Sequence, residues 1–528
     1  MRSRPYFQKS RLNTPQLSFS METYSAYNVA VILFAAFGSL FAGYGLSVIV
    51  STVGQPTWYS SLDLEPTSSH TTAIIGAANG VFFAGGFFGC LVAAYTVEKL
   101  GRLNGLRLAA VIGIIGAAIQ TAAINQGMYL AARVITGLAV GQVIVAMPTY
   151  YSEVAPPHSR GLMAGAHGSF INAGYASSAW IGFACFHASG SSFGWRFPNA
   201  VLVIFGICVL GGTLFIPESP RWLCSRGFDQ QALHILCRLH RDKSDPEDHF
   251  AHRELGLIKK QLEVDRVALL TDGKWQIFTK KTYRKRLILA FMLLAGGQNV
   301  GVLVINNYNT LLYQSLGLSN SEALLVGAGY NTWAMIANFA GATISDRLGR
   351  RKALLGGYII NVAMFTVATA LIAKYSETNS KGYAAAALTF LFLYVTAYGG
   401  AIDVNQFTVA TEIFPSHLRS MGTGIAMSGL FLADTLWLQL ASTAMATIGW
   451  KYYLVFLCLG VVHTIYLYFN LPETTGLALE EIDALFGKAV AGHIQDEGLE
   501  KVAATHYDGK TEGHQGPATE VLAEDAKA

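Results

Sequence analysis

The sequence predicts an all-α membrane protein: twelve transmembrane helices in two six-helix halves, joined by a cytoplasmic helical linker. Three observations carry this. First, 52% of the 528 residues are hydrophobic and only 13% are charged, against about 25% charged in soluble domains, and mean hydropathy is +0.38. Second, apolar runs of helix-spanning length recur along the chain, and about 20 such residues cross a bilayer. Third, the chain repeats itself. Glu153 and Glu412, Pro156 and Pro415, and Arg160 and Arg419 are each 259 residues apart. Glu98-Lys99-Leu100-Gly101-Arg102 resembles Asp346-Arg347-Leu348-Gly349-Arg350, 248 residues later, and Pro217-Glu218-Ser219 resembles Pro472-Glu473-Thr474. Internal repeats point to duplicated architecture.

Taken in order, residues 1–26 form a basic N-tail with Arg2, Arg4, Lys9 and Arg11 but no apolar signal-peptide core. The first membrane helix is therefore expected to serve as the insertion signal. Six spans follow in 27–216, near 27–50, 72–94, 106–124, 129–149, 162–186 and 197–216. A polar linker covers 217–286, with helical segments near 229–240 and 252–262. Six more spans lie in 287–470, near 287–313, 323–345, 353–373, 383–410, 420–446 and 451–470. The tail, 471–528, is polar and mostly acidic, and its last part has the composition of disorder.

Lys and Arg collect in the N-tail, at 98–107, at 156–161, in the linker, at 347–352 and at Arg419; the alternate loops are poor in them. By the positive-inside rule, both termini and the linker are cytoplasmic. Two six-helix halves around a cytoplasmic linker are the arrangement of secondary transporters built from parallel repeats.

Composition also excludes classes. A net charge of +4 gives no case for nucleic acid, and the six scattered Cys form no CxxC pair. No metal or cofactor is expected: the histidines and charges of 234–266 fit no zinc spacing and read as a solvated linker. No nucleophile–base pair or phosphate loop suggests an enzyme.

Several motifs together resemble the sugar porter family of the major facilitator superfamily, in the variants of its fungal members. They are Arg133 through Gly141, Pro148 through Gly161, Pro217-Glu218-Ser219-Pro220-Arg221-Trp222-Leu223, Gly341 through Arg351, and Pro472 through Gly476 with Leu479-Glu480-Glu481-Ile482. The match spans roughly 27–486 in order. It implies the major facilitator fold, transport of a sugar or related small polyhydroxylated solute by facilitated diffusion or proton symport, the plasma membrane and a monomer. A quinate-like acid or secondary metabolite is the alternative substrate, and a non-transporting nutrient sensor the rival function. It also implies that Glu98, Arg102, Glu153, Arg160, Glu218, Arg221, Asp346, Arg350, Arg351, Glu412, Arg419 and Glu473 form cytoplasmic gate salt bridges.

The resemblance departs at the pocket. Proton-coupled members read Gly-Tyr-Asp in the first helix, where this chain reads Gly43-Tyr44-Gly45, so Arg133 of the fourth helix lacks its family partner. The seventh helix reads Gly297-Gln298-Asn299-Val300-Gly301, keeping one of two adjacent Gln. Gly168 aligns with a sugar-contacting Gln, Phe407 with a Trp and Asp434 with an Asn.

Charged groups inside a membrane are functional candidates by default. Asp403 and Asp434 are therefore coupling candidates with Arg133, and Asp434 is also a substrate-binding candidate. The amide-rich stretch Gln298, Asn299, Asn306, Asn307 and Asn309 suits hydroxyl-rich ligands, with Gln298 and Asn307 the foremost. Phe407, Tyr175 and His167 complete the substrate-binding set, although aromatics and a lone His at such positions also serve helix packing.

Overall fold

The structure is a computed structural model that describes residues 26–474, except 67, 155–159, 189–190, 241–246 and 274, together with Phe486. The expected tails therefore lie outside the described residues, apart from Phe486 and the first residues after Asn470. The described chain is helical throughout, with no strand among the described residues.

Each apolar run forms helix. The first six are α1 (Ala26–Val53), α2 (Ser69–Lys99), α3 (Arg102–Thr121), α4 (Gln126–Val154), α5 (Arg160–Ala188) and α6 (Phe193–Gly212). The linker carries α7 (Asp229–Leu239) and α8 (His249–Asp272). Then come α9 (Lys281–Gln298), α10 (Val302–Asn307), α11 (Asn309–Ser315), α12 (Asn320–Leu348), α13 (Arg350–Thr378), α14 (Lys381–Ala397), α15 (Val404–Glu412), α16 (Arg419–Ile448) and α17 (Tyr452–Asn470).

Among the described residues, nine helical segments are long and apolar enough to cross a membrane; one of them, Arg419–Asn470, contains both α16 and α17. Their outer surface is apolar as well: Phe88, Ile359, Val462 and Phe469 are each at least 60% exposed. Soluble proteins rarely present so much continuous apolar surface, whereas lipid accepts it.

Two runs that read as continuous helices are interrupted. The 287–313 run breaks at Gly301, whose φ of +86° no ordinary helical residue adopts, and again at Tyr308. The 383–410 run contains a π-helical turn, Tyr398–Asp403, between α14 and α15. Such turns re-aim side chains and often mark functional sites. Breaks of this kind are tolerated at membrane depth only where protein or a cavity surrounds the backbone.

Helix packing relies on close backbone approach. A Cβ on Gly137 would strike the carbonyl of Phe82, and one on Gly141 the carbonyl of Gly86, so α2 and α4 touch along their backbones. Small residues give membrane helices this contact, since lipid offers no hydrophobic drive to replace it. The same α2 packs against α16 on its other side, and α5 packs against both α1 and α12. These contacts surround a shared centre with α1, α4, α5, α9, α10, α12 and α16.

Gly141→Ala is expected to lower stability by about 1–3 kcal/mol, the usual effect of overpacking. Gly356→Ala in α13, whose added methyl meets open space, should be neutral or slightly stabilising. Thermal unfolding in detergent checks both; equal midpoints for the two variants would refute the backbone-contact account.

Candidate functional site

A cavity of about 60 Å³ lies at the centre of the bundle. Its wall is mainly aliphatic and aromatic, with Asn172, Gln298, Asn306 and Asp403 as its non-aromatic polar groups. Few polar groups in an apolar wall are typical of small-molecule sites, but those enclose about 300–1,000 Å³. The cavity is thus contracted. Packed layers lie on both sides of it. Toward the 54–68 loop, Asn79 donates to the Tyr308 hydroxyl at 3.3 Å and Tyr308 donates to the Leu438 carbonyl at 2.8 Å. On that side too, Asn320 donates to the Gly54 carbonyl at 3.1 Å. On the opposite side His167 packs edge-on against Phe407, with ring centres 5.8 Å apart, and Tyr151 packs on His167.

Asp403 is the most connected group on the wall. Its Oδ2 accepts from Asn338 Nδ2 at 2.7 Å and from Asn172 Nδ2 at 3.1 Å. Its Oδ1 accepts from Gln406 Nε2 at 3.1 Å. The bonds reach further: Ser169 donates to Asn338 Oδ1 at 3.0 Å, and Gln406 and Gln298 both approach the Tyr398 hydroxyl, at 3.2 and 3.4 Å. The π-helical turn places Asp403 where α5 and α12 meet, so one carboxylate joins three helical elements. An acid that receives only N–H donors is bonded as an acceptor, which is the ionised form's role.

The other expected residues are distributed as follows. Gln298, Tyr175 and Phe407 line the cavity. Asn307 lies nearer the outer layer, in a small cleft with Asn79 and Tyr308. His167 is fully buried, with Nδ1 2.7 Å from Ser39 Oγ, and sits behind Phe407 rather than on the wall. Asp434 is 1% exposed, lies off the wall, and its Oδ2 has no hydrogen-bond partner. Asn299 accepts from the Trp437 indole at 2.8 Å and is part of helix packing.

Arg133 is fully buried without a carboxylate. Its Nε donates to the Ala78 carbonyl at 3.2 Å, its Nη1 to the Gly45 carbonyl at 3.4 Å, and its guanidinium lies 4.0 Å from the centre of the Phe82 ring. The backbone of Gly45 thus supplies an acceptor at the position where the resemblance leads one to expect an Asp.

The charged motifs form two matching clusters. In the first, Arg102 grips Glu153 with two bonds, Nε–Oε2 at 2.7 Å and Nη2–Oε1 at 2.5 Å. Ser219 Oγ donates to the same Glu153 at 2.5 Å. Glu218 caps the start of α3 by accepting from the backbone N–H groups of Arg102 and Leu103, both at 3.1 Å. Burial raises the Glu218 carboxyl above its ordinary range, and these N–H groups oppose that shift. In the second cluster Arg350 pairs with Glu412, while Glu473 accepts from the Arg350 backbone at 3.0 Å and the Arg351 backbone at 3.3 Å. Arg351 donates to the Tyr468 carbonyl at 2.7 Å. Gly101 and Gly349 open α3 and α13 with φ of +102° and +87°, a backbone shape that favours glycine. The resolved pairs therefore join neighbouring helices within each repeat. Arg221 and Arg419 line a larger cleft of about 680 Å³ between the linker and the bundle, with Glu98, Arg102 and Glu153. The side chains of Arg160 and Asp346 lie outside the described residues.

Sequence reasoning missed Asn172, Asn338, Tyr330 and Tyr398. Asn172 and Asn338 are isolated amides within apolar runs, a signal available beforehand. The tyrosines carried none, because aromatics are common throughout these helices.

Comparison with known proteins agrees with this architecture. The chain is 30% identical over 449 residues to the MFS-type transporter criB of Aspergillus cristatus, covering 85% of this chain and 91% of that protein. It is 30% identical over 481 residues to a probable quinate permease of Neosartorya fischeri, covering 87% and 88%. Among solved structures, the proton:xylose symporter XylE of E. coli superposes with a TM-score of 0.75 over 88% of this chain and all of that one, at 24% identity. The relatives are transporters rather than enzymes. The family model described as sugar (and other) transporter matches residues 31–486, and the chain belongs to that family of integral membrane transporters.

Proposed function

We propose that this protein is a secondary transporter that moves a sugar or related small polyhydroxylated solute by alternating access around the central cavity. The observation that carries this reading is the Asp403 network, in which a wall group of the second repeat is bonded directly by Asn172 of the first. A site held by both repeats is opened and closed by their relative motion. In this reading Arg419–Asn470 counts as two spans, and the 29-residue helices α5 and α12 are added to the nine apolar segments, giving twelve. The halves are 27–216 and 287–470, the linker and both termini face the cytoplasm, and the protein works as a monomer in the plasma membrane.

Gln298, Tyr175 and Phe407 are the direct substrate contacts, with Asn307, His167 and Asp434 around them. Asp403, Asp434 and Arg133 are the groups available for proton coupling. The two Arg–Glu clusters, with Glu98, Arg160, Arg221, Asp346, Arg351 and Arg419, stiffen the cytoplasmic ends of the helices that form the gate. The names of the relatives give a second reading, transport of a quinate-like acid.

Three outcomes check this. A labelled hexose and polyol panel offered to yeast lacking its own hexose carriers should show saturable uptake; no uptake, with the protein at the surface, removes the sugar reading. If Asp403 carries the coupling proton, Asp403→Asn should lose protonophore-sensitive accumulation, at least about tenfold as expected for a missing proton carrier, while equilibrative exchange survives. Accumulation at the wild-type level and with the wild-type pH profile in both Asp403→Asn and Asp434→Asn would end that assignment. Glu153→Ala strands Arg102 at a site where the two side chains are 9% and 4% exposed, and should destabilise by about 3–5 kcal/mol. Lys374→Ala, in a pair 60% and 63% exposed, should leave the melting midpoint essentially unchanged. Similar melting shifts for the two would contradict the structural role given to the first cluster.

A further inference from the structure

The charge of the cavity wall says which solutes it accepts. Among the described residues Asp403 is its one acid, and no Lys, Arg or His lines it. The fully buried Arg133, Arg286 and His167 lie off the wall. Arg133 is fully buried; its Nε and Nη1 donate to the Ala78 and Gly45 carbonyls, the Phe82 ring lies against it, and its Nη2 has no hydrogen-bond partner. Arg286 is fully buried elsewhere, donating to the Ile413 carbonyl at 3.1 Å. His167 lies behind Phe407 with Nδ1 on Ser39. A second buried acid, Asp434, lies off the wall.

The bonding of Asp403 in this arrangement suits its ionised form. Three amide N–H groups point at its two oxygens and none of its bonds is to an acceptor. A solute carboxylate entering this space would meet a negative group at short range in a poorly screened medium, with no cation to pair with. A hydroxyl-rich neutral solute meets the opposite situation. Its O–H groups donate to Asp403 and exchange with Asn172 Nδ2, while Gln298 and Asn306 both donate and accept.

We propose that Asp403 is a specificity-determining residue that makes the central site reject carboxylates and select uncharged, hydroxyl-rich solutes. This rests on the transport reading above, and it separates the neutral polyol from the quinate-like acid within that reading. The residue acts as substrate partner and charge filter together: the same oxygens that accept from a hydroxyl repel an anion.

A matched pair of probes isolates the charge. Quinate and its methyl ester share the ring and its hydroxyl groups and differ in one negative charge at pH 7, where a carboxylic acid is ionised. Binding is read from ligand-induced thermal stabilisation of the full-length protein in lipid nanodiscs, with a neutral hexose and cyclitol panel alongside. The wild type should bind the ester at least about tenfold more tightly than quinate, a preference that one uncompensated charge at close range readily produces. Asp403→Asn should shrink that ratio to near one, mainly by improving quinate. Quinate binding equal to or tighter than the ester in the wild type overturns the proposal, and that comparison stands even if the variant does not fold. An unchanged ratio in a folded Asp403→Asn overturns it equally. Should neither probe nor any member of the neutral panel bind, the solute class itself is wrong, and this inference falls with it. An anion preference alongside neutral binding would leave the transport reading standing and remove only the filter.

Discussion

A carboxylate placed in the middle of a membrane bundle has to be bonded, because the surrounding hydrocarbon and apolar side chains offer nothing in place of water. Asp403 meets that requirement with three amides drawn from different elements: Asn172 on α5, Asn338 on α12 and Gln406 one turn further along its own strand of helix. The requirement then becomes a constraint on the fold. The seam between α5 and α12 has to remain close enough for both amides to reach one oxygen. The π-helical turn at Tyr398–Asp403 has to aim the carboxylate into that seam. The cavity wall follows from this arrangement, since Tyr398, Gln298 and Asn172 are all held by the same chain of bonds. Any motion that separates the repeats has to exchange the Asn172 bond for another donor, and a solute hydroxyl is such a donor.

At the helix ends that carry the charged motifs the problem is different but is solved twice in the same way. A helix start leaves backbone N–H groups without partners, and these starts follow a tight turn at Gly101 or Gly349. In each repeat a Glu from the segment after the last helix, Glu218 or Glu473, fills that gap. In each, an Arg on the first helical residue pairs with a Glu at the end of another helix: Arg102 with Glu153, and Arg350 with Glu412. Since both partners of the first pair are nearly buried, the pair has little value as a surface ion pair and much as a lock between α3 and α4. The family resemblance suggested salt bridges bracing one state of the gate. Among the described residues the printed pairs join α3 to α4 and α13 to α15, and Arg221 and Arg419 line the wide cleft beside the linker.

Much of this was legible in the residues. The apolar runs located the helices because hydrocarbon thickness sets a length and excludes charge along it. The repeat offsets located the two Arg–Glu clusters because capping an N-terminus after a glycine turn needs the same residues in the same order each time. Asp403 stood out as an acid in an apolar run. What the sequence did not disclose is which buried groups face one another. Asn172 and Asn338 are 166 residues apart and each reads as an isolated amide. His167 and Phe407 both looked like wall residues, but one lies behind the other. The breaks at Gly301 and Tyr398–Asp403 were hidden because their flanks stay apolar, so composition alone reads straight through them.

The first-helix substitution has a consequence for coupling. Where an Asp would give Arg133 a titrating partner, Gly45 offers a backbone carbonyl, which holds the guanidinium but takes up no proton. The Phe82 ring lies against the guanidinium. A Cβ at position 45 would also press on Val140 at 2.8 Å, so the tight packing of α1 against α4 and the loss of the acid belong to one local solution. Arg133 in this setting is a structural brace across α1, α2 and α4. Charge that responds to the solute is left to the second repeat, where Asp403 faces the cavity and Asp434 lies behind its wall. In the proposed reading, solute recognition and closure of the α5–α12 seam fall to the same carboxylate, Asp403, at the π-helical turn.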